Sequence, residues 1–153
     1  MSQEAPPDLD NARLLIDAAL AEHRSVLSEL ESKALLAAFH VPIARAVLAR
    51  SANEAMMVAQ ELGFPVAMKI DSPDITHKSD AGGVKLNVGN AQSVRESWQA
   101  IYDSVARLRP NAKVNGVIVE PMAARPNGRE LMVGVVRDPV FGPAITLDRK
   151  SVV

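Results

Sequence analysis

Pro65-Val66-Ala67-Met68-Lys69-Ile70, then Asp71-Ser72-Pro73-Asp74-Ile75-Thr76-His77-Lys78-Ser79-Asp80, then Ala81-Gly82-Gly83-Val84 run without a break in this chain. The first piece alternates as a strand does. Val66, Met68 and Ile70 fall on one face, Ala67 and Lys69 on the other. A lysine so placed is solvated or reaches toward an anion, and a snorkelling surface lysine is the commoner outcome for such a residue taken alone. The polar loop that follows ends in Gly82-Gly83, where the backbone can take positive φ and expose its N–H groups. A second strand then runs from Val84 through Leu86 to Val88. An ammonium on one side and peptide dipoles on the other hold phosphate well. The stretch therefore reads as the seat of a nucleotide's polyphosphate tail, with Lys69, Gly82 and Gly83 around it.

Upstream, residues 1–7 read as a flexible lead-in, given Pro6-Pro7. A helix is predicted from near Asp8 to near His23, with Ala12, Leu15, Ile16 and Ala19 as its apolar stripe. Ser28-Glu29-Leu30-Glu31 is a capping box, and the helix it opens carries Leu35, Leu36 and Phe39 and stops before Pro42. Residues 43–49 read as a short strand. Ser51-Ala52-Asn53-Glu54 repeats the capping pattern before a helix with Ala55, Val58, Ala59 and Leu62 on one face and Gly63 at its end.

Downstream of Val88, Asn90 caps a helix whose Val94, Trp98, Ile101, Val105 and Leu108 form one continuous seam, closed by Pro110. A strand ends in Val117-Ile118-Val119-Glu120, a loop follows from Met122 to Asn127, and another strand covers 130–137. Asp138-Pro139 turns the chain toward a last strand at 143–147. With nothing after it, that strand is expected to be an unpaired stub with an exposed edge. Strands and helices alternate, so the fold class is α/β (α+β), with helices packed on a sheet.

The 153 residues suffice for one domain with a core or for two small lobes. A net charge of -1 and 3% aromatic residues argue against a nucleic-acid surface or a base-stacking platform. The absence of cysteine excludes disulfides, thiol nucleophiles and cysteine zinc sites, and fits the cytoplasm. No apolar run has the length of a membrane span, and the acidic N-terminus lacks a signal-peptide pattern. The expectation is a cytoplasmic protein with neither membrane nor nucleic acid as partner.

Among polar residues, His77 can act as base, metal ligand or phosphoryl acceptor, or be a plain exposed loop histidine. No second histidine or cysteine lies near it for zinc. Ser79, His77 and Asp80 lie too close along one loop to converge as a hydrolytic triad. Glu120 ends an apolar strand and Glu130 begins one. Strand-end carboxylates can accept from an adenine amino group or ribose hydroxyls, or be merely solvated.

The stretch from Ser72 to Val84 resembles the signature of the ATP-grasp domain of ADP-forming (NDP-forming) acyl-CoA synthetases. Gly63-Phe64-Pro65-Val66-Ala67-Met68-Lys69 before it agrees, as do Gly128-Arg129-Glu130-Leu131 and Asp138-Pro139-Val140-Phe141-Gly142-Pro143 after it. The likeness runs from about Leu9 to Leu147 and is greatest to the multidomain forms fused to a GNAT-type acetyltransferase. It implies an ATP-grasp first lobe with a mixed sheet at 9–121, after a lead-in at 1–8. A hinge and the start of the second lobe would follow at 122–147, then a truncated or non-native tail at 148–153.

By the same resemblance Lys69 would bind the nucleotide phosphates, and Gly82 and Gly83 would belong to a mobile loop covering them. Glu120 would start the hinge that meets adenine, with backbone groups of Met122, and Glu130 would take the ribose hydroxyls. His77 would relay a phosphoryl group to a second phosphohistidine elsewhere. The implied reaction interconverts acyl-CoA, ADP and phosphate with acid, CoA and ATP. The implied cofactors are ATP/ADP and Mg2+, with the metal's ligands expected outside this fragment and the CoA-binding and ligase domains as partners. The fragment alone is expected to be inactive. The alternative is a non-catalytic, nucleotide- or acyl-CoA-sensing regulatory domain of a protein acetyltransferase.

Overall fold

The computed structural model describes residues 5–123, 128 and 131–149. The chain divides into two compact units, Met1–Met122 and Ala123–Val153.

In the first unit, α1 spans Leu9–Ala21 and α2 spans Glu29–Ala38. Asp8 caps α1 by accepting from the Asn11 N–H, and Ser28 and Glu31 complete a reciprocal capping box on α2. Between the helices, Arg24 donates to Glu22 and, through both terminal nitrogens, to Glu31. The predicted apolar stripes hold only in part. Ala12, Ala19 and Ala38 are buried, while Ile16, Leu36 and Phe39 stay more than 40% exposed. The buried members of these two helices are alanines, while Leu15 and Leu35 of the same stripes are partly buried.

The strand β1 is Val47–Ala49, α3 is Ala52–Leu62, β2 is Val66–Asp71 and β3 is Val84–Val88. The helix α4 covers Ala91–Leu108 and β4 covers Gly116–Pro121. The four strands form one sheet in the order β1-β4-β2-β3, and every pairing in it is antiparallel. The predicted α/β class therefore holds, with antiparallel strands where a mixed sheet was expected. Of the predicted strand at 43–49 only Val47–Ala49 pairs, because β4 offers partners only to Val47, Leu48 and Ala49.

The second capping pattern is only half realised. Ser51 accepts from the Glu54 N–H, but the Glu54 carboxylate accepts from Arg50, not from Ser51. In α4, Val94, Ile101 and Val105 are buried and Trp98 packs against the core, stacked on Tyr102 with ring centroids 5.0 Å apart. The seam stops there: Leu108, in the last turn, is 42% exposed.

Strand alternation in β2 works as read. Val66, Met68 and Ile70 are fully buried, in one cluster with Val117 and Val119 of β4, Ala55 and Ala59 of α3, and Val94, Ile101 and Val105 of α4. Ala67 lies opposite Glu120 and Lys69 opposite Ile118. Ala67, Lys69, Ile118 and Glu120 thus share the other face of the sheet.

The second unit contains β5, Leu131–Asp138, and β6, Gly142–Arg149, paired over their full length from Asp138↔Gly142 to Leu131↔Arg149. The last strand is therefore longer than predicted and is not an unpaired stub. Asp138 closes the turn by accepting from the Phe141 and Val140 N–H groups, which hold its carboxyl below the usual range. Among the described residues, no helix is long and apolar enough to cross a membrane.

Candidate functional site

The face of the sheet opposite the core carries a compact charge cluster. Lys69, from the middle of β2, meets Glu120, near the end of β4, diagonally across the strand pair. The first turn of α2 supplies Glu29, and Lys33 follows one turn later at the i, i+4 spacing. Glu29 accepts from Lys69 at 3.2 Å and from Lys78 at 2.6 Å. Lys33 lies 3.6 Å from Glu29 and also pairs with Glu120. Three ammonium groups thus share two carboxylates. Glu120 is 8% exposed, and the lysine side chains keep 19–27% of their surface, so the lysines border solvent while the carboxylate of β4 lies beneath them.

The electrostatics follow from this mixture of burial and pairing. Burial opposes the charge on Lys69, but Glu120 and Glu29 outweigh it and raise its pKa. Burial likewise opposes ionisation of Glu29, and Lys78 with Lys69 overcomes it, holding the carboxyl below its ordinary value. Both shifts favour the charged forms of Lys69 and Glu29. An excess of cationic donors around half-buried carboxylates suits a polyanion with several oxygens.

Lys78 brings a loop to this cluster. Ile75 and Ala81 of the loop are buried in the core, and Asp74 accepts from the Lys113 N–H at 2.7 Å. The loop is pinned by these contacts, and His77 is solvent-exposed beside Lys78. A cleft of about 690 Å³ adjoins, lined by Arg24, Ser28, Asp71, Thr76, Lys78 and Lys113 among others.

A family model described as an ATP-grasp domain matches residues 18–150. The chain belongs to the ATP-grasp domain family. It is 44% identical over 134 residues to the beta subunit of acetate–CoA ligase [ADP-forming] I of Pyrococcus furiosus, an alignment covering 88% of this chain and 56% of that one. Two solved structures of the dinucleotide-forming acetyl-coenzyme A synthetase 1 of Candidatus Korarchaeum cryptofilum resemble it. One, with coenzyme A, Ca-AMPCP and HgCl+, gives a TM-score of 0.86 at 38% identity, covering 92% of this chain and 60% of that one. The other holds coenzyme A and Mg-AMPPCP, its phosphohistidine segment pointing towards the nucleotide binding site. It gives 0.72 at 33% identity, with 92% and 58% covered. The ATP-grasp chain thus spans a little over half the length of these three relatives.

Within this ATP-grasp chain, Lys69 and Glu120 come together, and the loop of His77 is tied to Lys69 through Lys78 and Glu29. The expectation of free glycine amides is not met. The Gly82 N–H donates to Ser79 O at 3.0 Å and the Gly83 N–H to Lys78 O at 2.8 Å. The need for glycine here is steric: a Cβ on Gly83 would lie 2.4 Å from Ile70 Cγ2, and one on Gly82 2.8 Å from Ser104 Cβ, with φ at +65°. Met122 donates its N–H to Pro65 O at 3.1 Å. Glu130 lies outside the described residues.

Sequence reasoning missed Glu29, Lys33 and Lys78 as members of the cluster. Lys78 stood in the decisive stretch beside His77. Glu29 and Lys33 gave only the i, i+4 signal of an ordinary helix pair, which points to nothing 40 residues away.

Proposed function

We propose that this chain supplies the phosphate-binding part of the nucleotide site of an ADP-forming acid–CoA ligase. The whole enzyme would interconvert acyl-CoA, ADP and phosphate with acid, CoA and ATP. The observation that carries the reading is the convergence of Lys33, Lys69 and Lys78 on one sheet face, bordering solvent, beside the loop that bears His77. Likeness to acetate–CoA ligase and to synthetase structures holding nucleotide analogues supports it. The division at Met122 supports reading the first unit as the first lobe of the ATP-grasp domain and the β5–β6 hairpin as the start of the second.

In this reading the three lysines neutralise and orient the polyphosphate, and Glu120 holds Lys33 and Lys69 from below. Its carboxylate is engaged by them, so it acts on the phosphate side and not on adenine. Gly82 and Gly83 enter as the tight turn that seats the loop. Met122 and Glu130 remain proposals for base and ribose. His77 is the phosphoryl carrier. In the ATP-forming direction the N–P bond of phosphorylated His77 breaks as a terminal β-phosphate oxygen of ADP forms the new O–P bond, and the imidazole is left neutral.

Family chemistry implies a magnesium ion. Among the described residues no three histidine, aspartate or glutamate side chains converge, and lysines already hold both carboxylates of the cluster. These described residues do not fit a resident divalent cation, and none of them is given a part in holding one. Its ligands, the CoA-binding domain and the second phosphohistidine are assigned to parts of the enzyme beyond this chain.

The test is incubation of the intact ligase containing this chain with Mg-ATP labelled at the γ-phosphate, followed by quantification of acid-labile, base-stable label on the protein. Label is expected on the wild type and absent from His77→Ala, which should bind Mg-ADP as the wild type does. Equal labelling of His77→Ala would contradict the assignment.

A further inference from the structure

Glu29 has no part in capping its own helix, since Ser28 and Glu31 satisfy the box between them. Its carboxylate is turned to the charge cluster. One oxygen faces Lys69 at 3.2 Å and Lys33 at 3.6 Å, and the other faces Lys78 at 2.6 Å. A two-oxygen anion bridging an ammonium of β2 and an ammonium of the His77 loop is the arrangement a phosphate group adopts between two lysines. Glu120 differs: it lies deeper, pairs with Lys33 and Lys69, and serves as their fixed counterion.

We propose that Glu29 is a positioning residue that occupies the phosphate's place in the ligand-free site and is exchanged for the polyphosphate when nucleotide binds. The identity of the anion rests on the nucleotide reading above; the exchange itself rests on the geometry. With Glu29 in place, three ammonium groups face two carboxylates. A phosphate arriving at Lys69 and Lys78 would stand one hydrogen bond from a like charge on the same donors. Withdrawal of Glu29 removes that repulsion and leaves the three cations with Glu120 alone. The movement is a side-chain rotation at the start of a helix, at a carboxylate still 22% exposed. Lys78 then passes from α2 to the ligand, so the loop carrying His77 is held by the nucleotide once nucleotide is present, and by Glu29 before.

The experiment titrates the full 153-residue chain with inorganic tripolyphosphate. It compares wild type, Glu29→Gln, Lys78→Gln and the double variant, with Mg-ADP titrated into wild type and Lys69→Ala in parallel. Glu29→Gln keeps the shape and removes the charge, and should bind tripolyphosphate about threefold to tenfold more tightly. That gain should shrink in the Lys78→Gln background, because the two residues act on one another. Without ligand, the amides of residues 76–80 should exchange with solvent faster in Glu29→Gln than in wild type. Unchanged or weaker binding by Glu29→Gln overturns the proposal, as does a full gain in the double variant or no response to tripolyphosphate in any chain. If Glu29→Gln tightens binding while Lys69→Ala leaves Mg-ADP affinity untouched, the exchange stands and the nucleotide reading of Lys69 falls. If Lys69→Ala weakens Mg-ADP binding and Glu29→Gln gains nothing, the reverse holds.

Discussion

Lys69 and Gly83 show two kinds of residue-level constraint on the same stretch. Lys69 is set by strand alternation, which turns it away from Met68 and Ile70 and onto the face where Glu120 and Glu29 wait. That much is legible in the sequence, since alternation needs only the neighbours along the chain. Gly83 was legible as a glycine requirement, but for a different reason from the real one. Whether its N–H is free depends on where the Lys78 carbonyl lies, and the loop folds back to place it 2.8 Å away. Ile70 is fully buried and cannot retreat from an added methyl group. Gly83→Ala should therefore lower unfolding stability by about 1–3 kcal/mol through overpacking. Urea denaturation measures this, and a midpoint equal to that of the wild type would show that the turn is not tightly packed.

At the scale of elements, helix starts were read correctly because caps are local. Asp8, Ser28, Ser51 and Asn90 each accept from a backbone N–H three residues on. What the helices bring together was not readable, because Glu29 meets Lys69 and Lys78 only after α2 is laid over the sheet. The link between α1 and α2 adds an ion pair with a pH signature. Arg24 and the Ser28 N–H depress the Glu31 carboxyl from 4.5 to about 2. A depressed carboxylate contributes stability that is present above its unfolded pKa and is lost as pH falls through its folded one. Glu31→Gln preserves a capping-box side chain but not the charge. Its melting temperature should lie below that of the wild type near neutral pH, and the gap should close between pH 4.5 and about 2. A gap that stays constant across that range would show that Arg24 does not act on Glu31 through charge.

On the scale of the whole molecule, the two units present different surfaces. The first buries a continuous core between its sheet and the helices α3 and α4. The β5–β6 hairpin leaves Leu131, Met132, Val133, Val135, Ile145 and Leu147 all at least 58% exposed, more apolar surface than a two-stranded ribbon covers by itself. The sequence marked 130–137 and 143–147 as strands but not their full pairing, since pairing belongs to two segments at once and each was read singly. The resemblance in residues 72–84 led to the right family because that stretch combines a pinned loop, a buried glycine and a lysine on the charge cluster. A phosphate site around Lys69 in the first unit should be open to titration without any further domain. The measurement is calorimetric titration with Mg-ADP of wild type and Lys69→Ala, each shown to be folded by its thermal melt. Saturable binding is expected for the wild type, with an affinity at least about tenfold lower in Lys69→Ala. Equal affinity in the two chains, or none in a folded wild type, would contradict it.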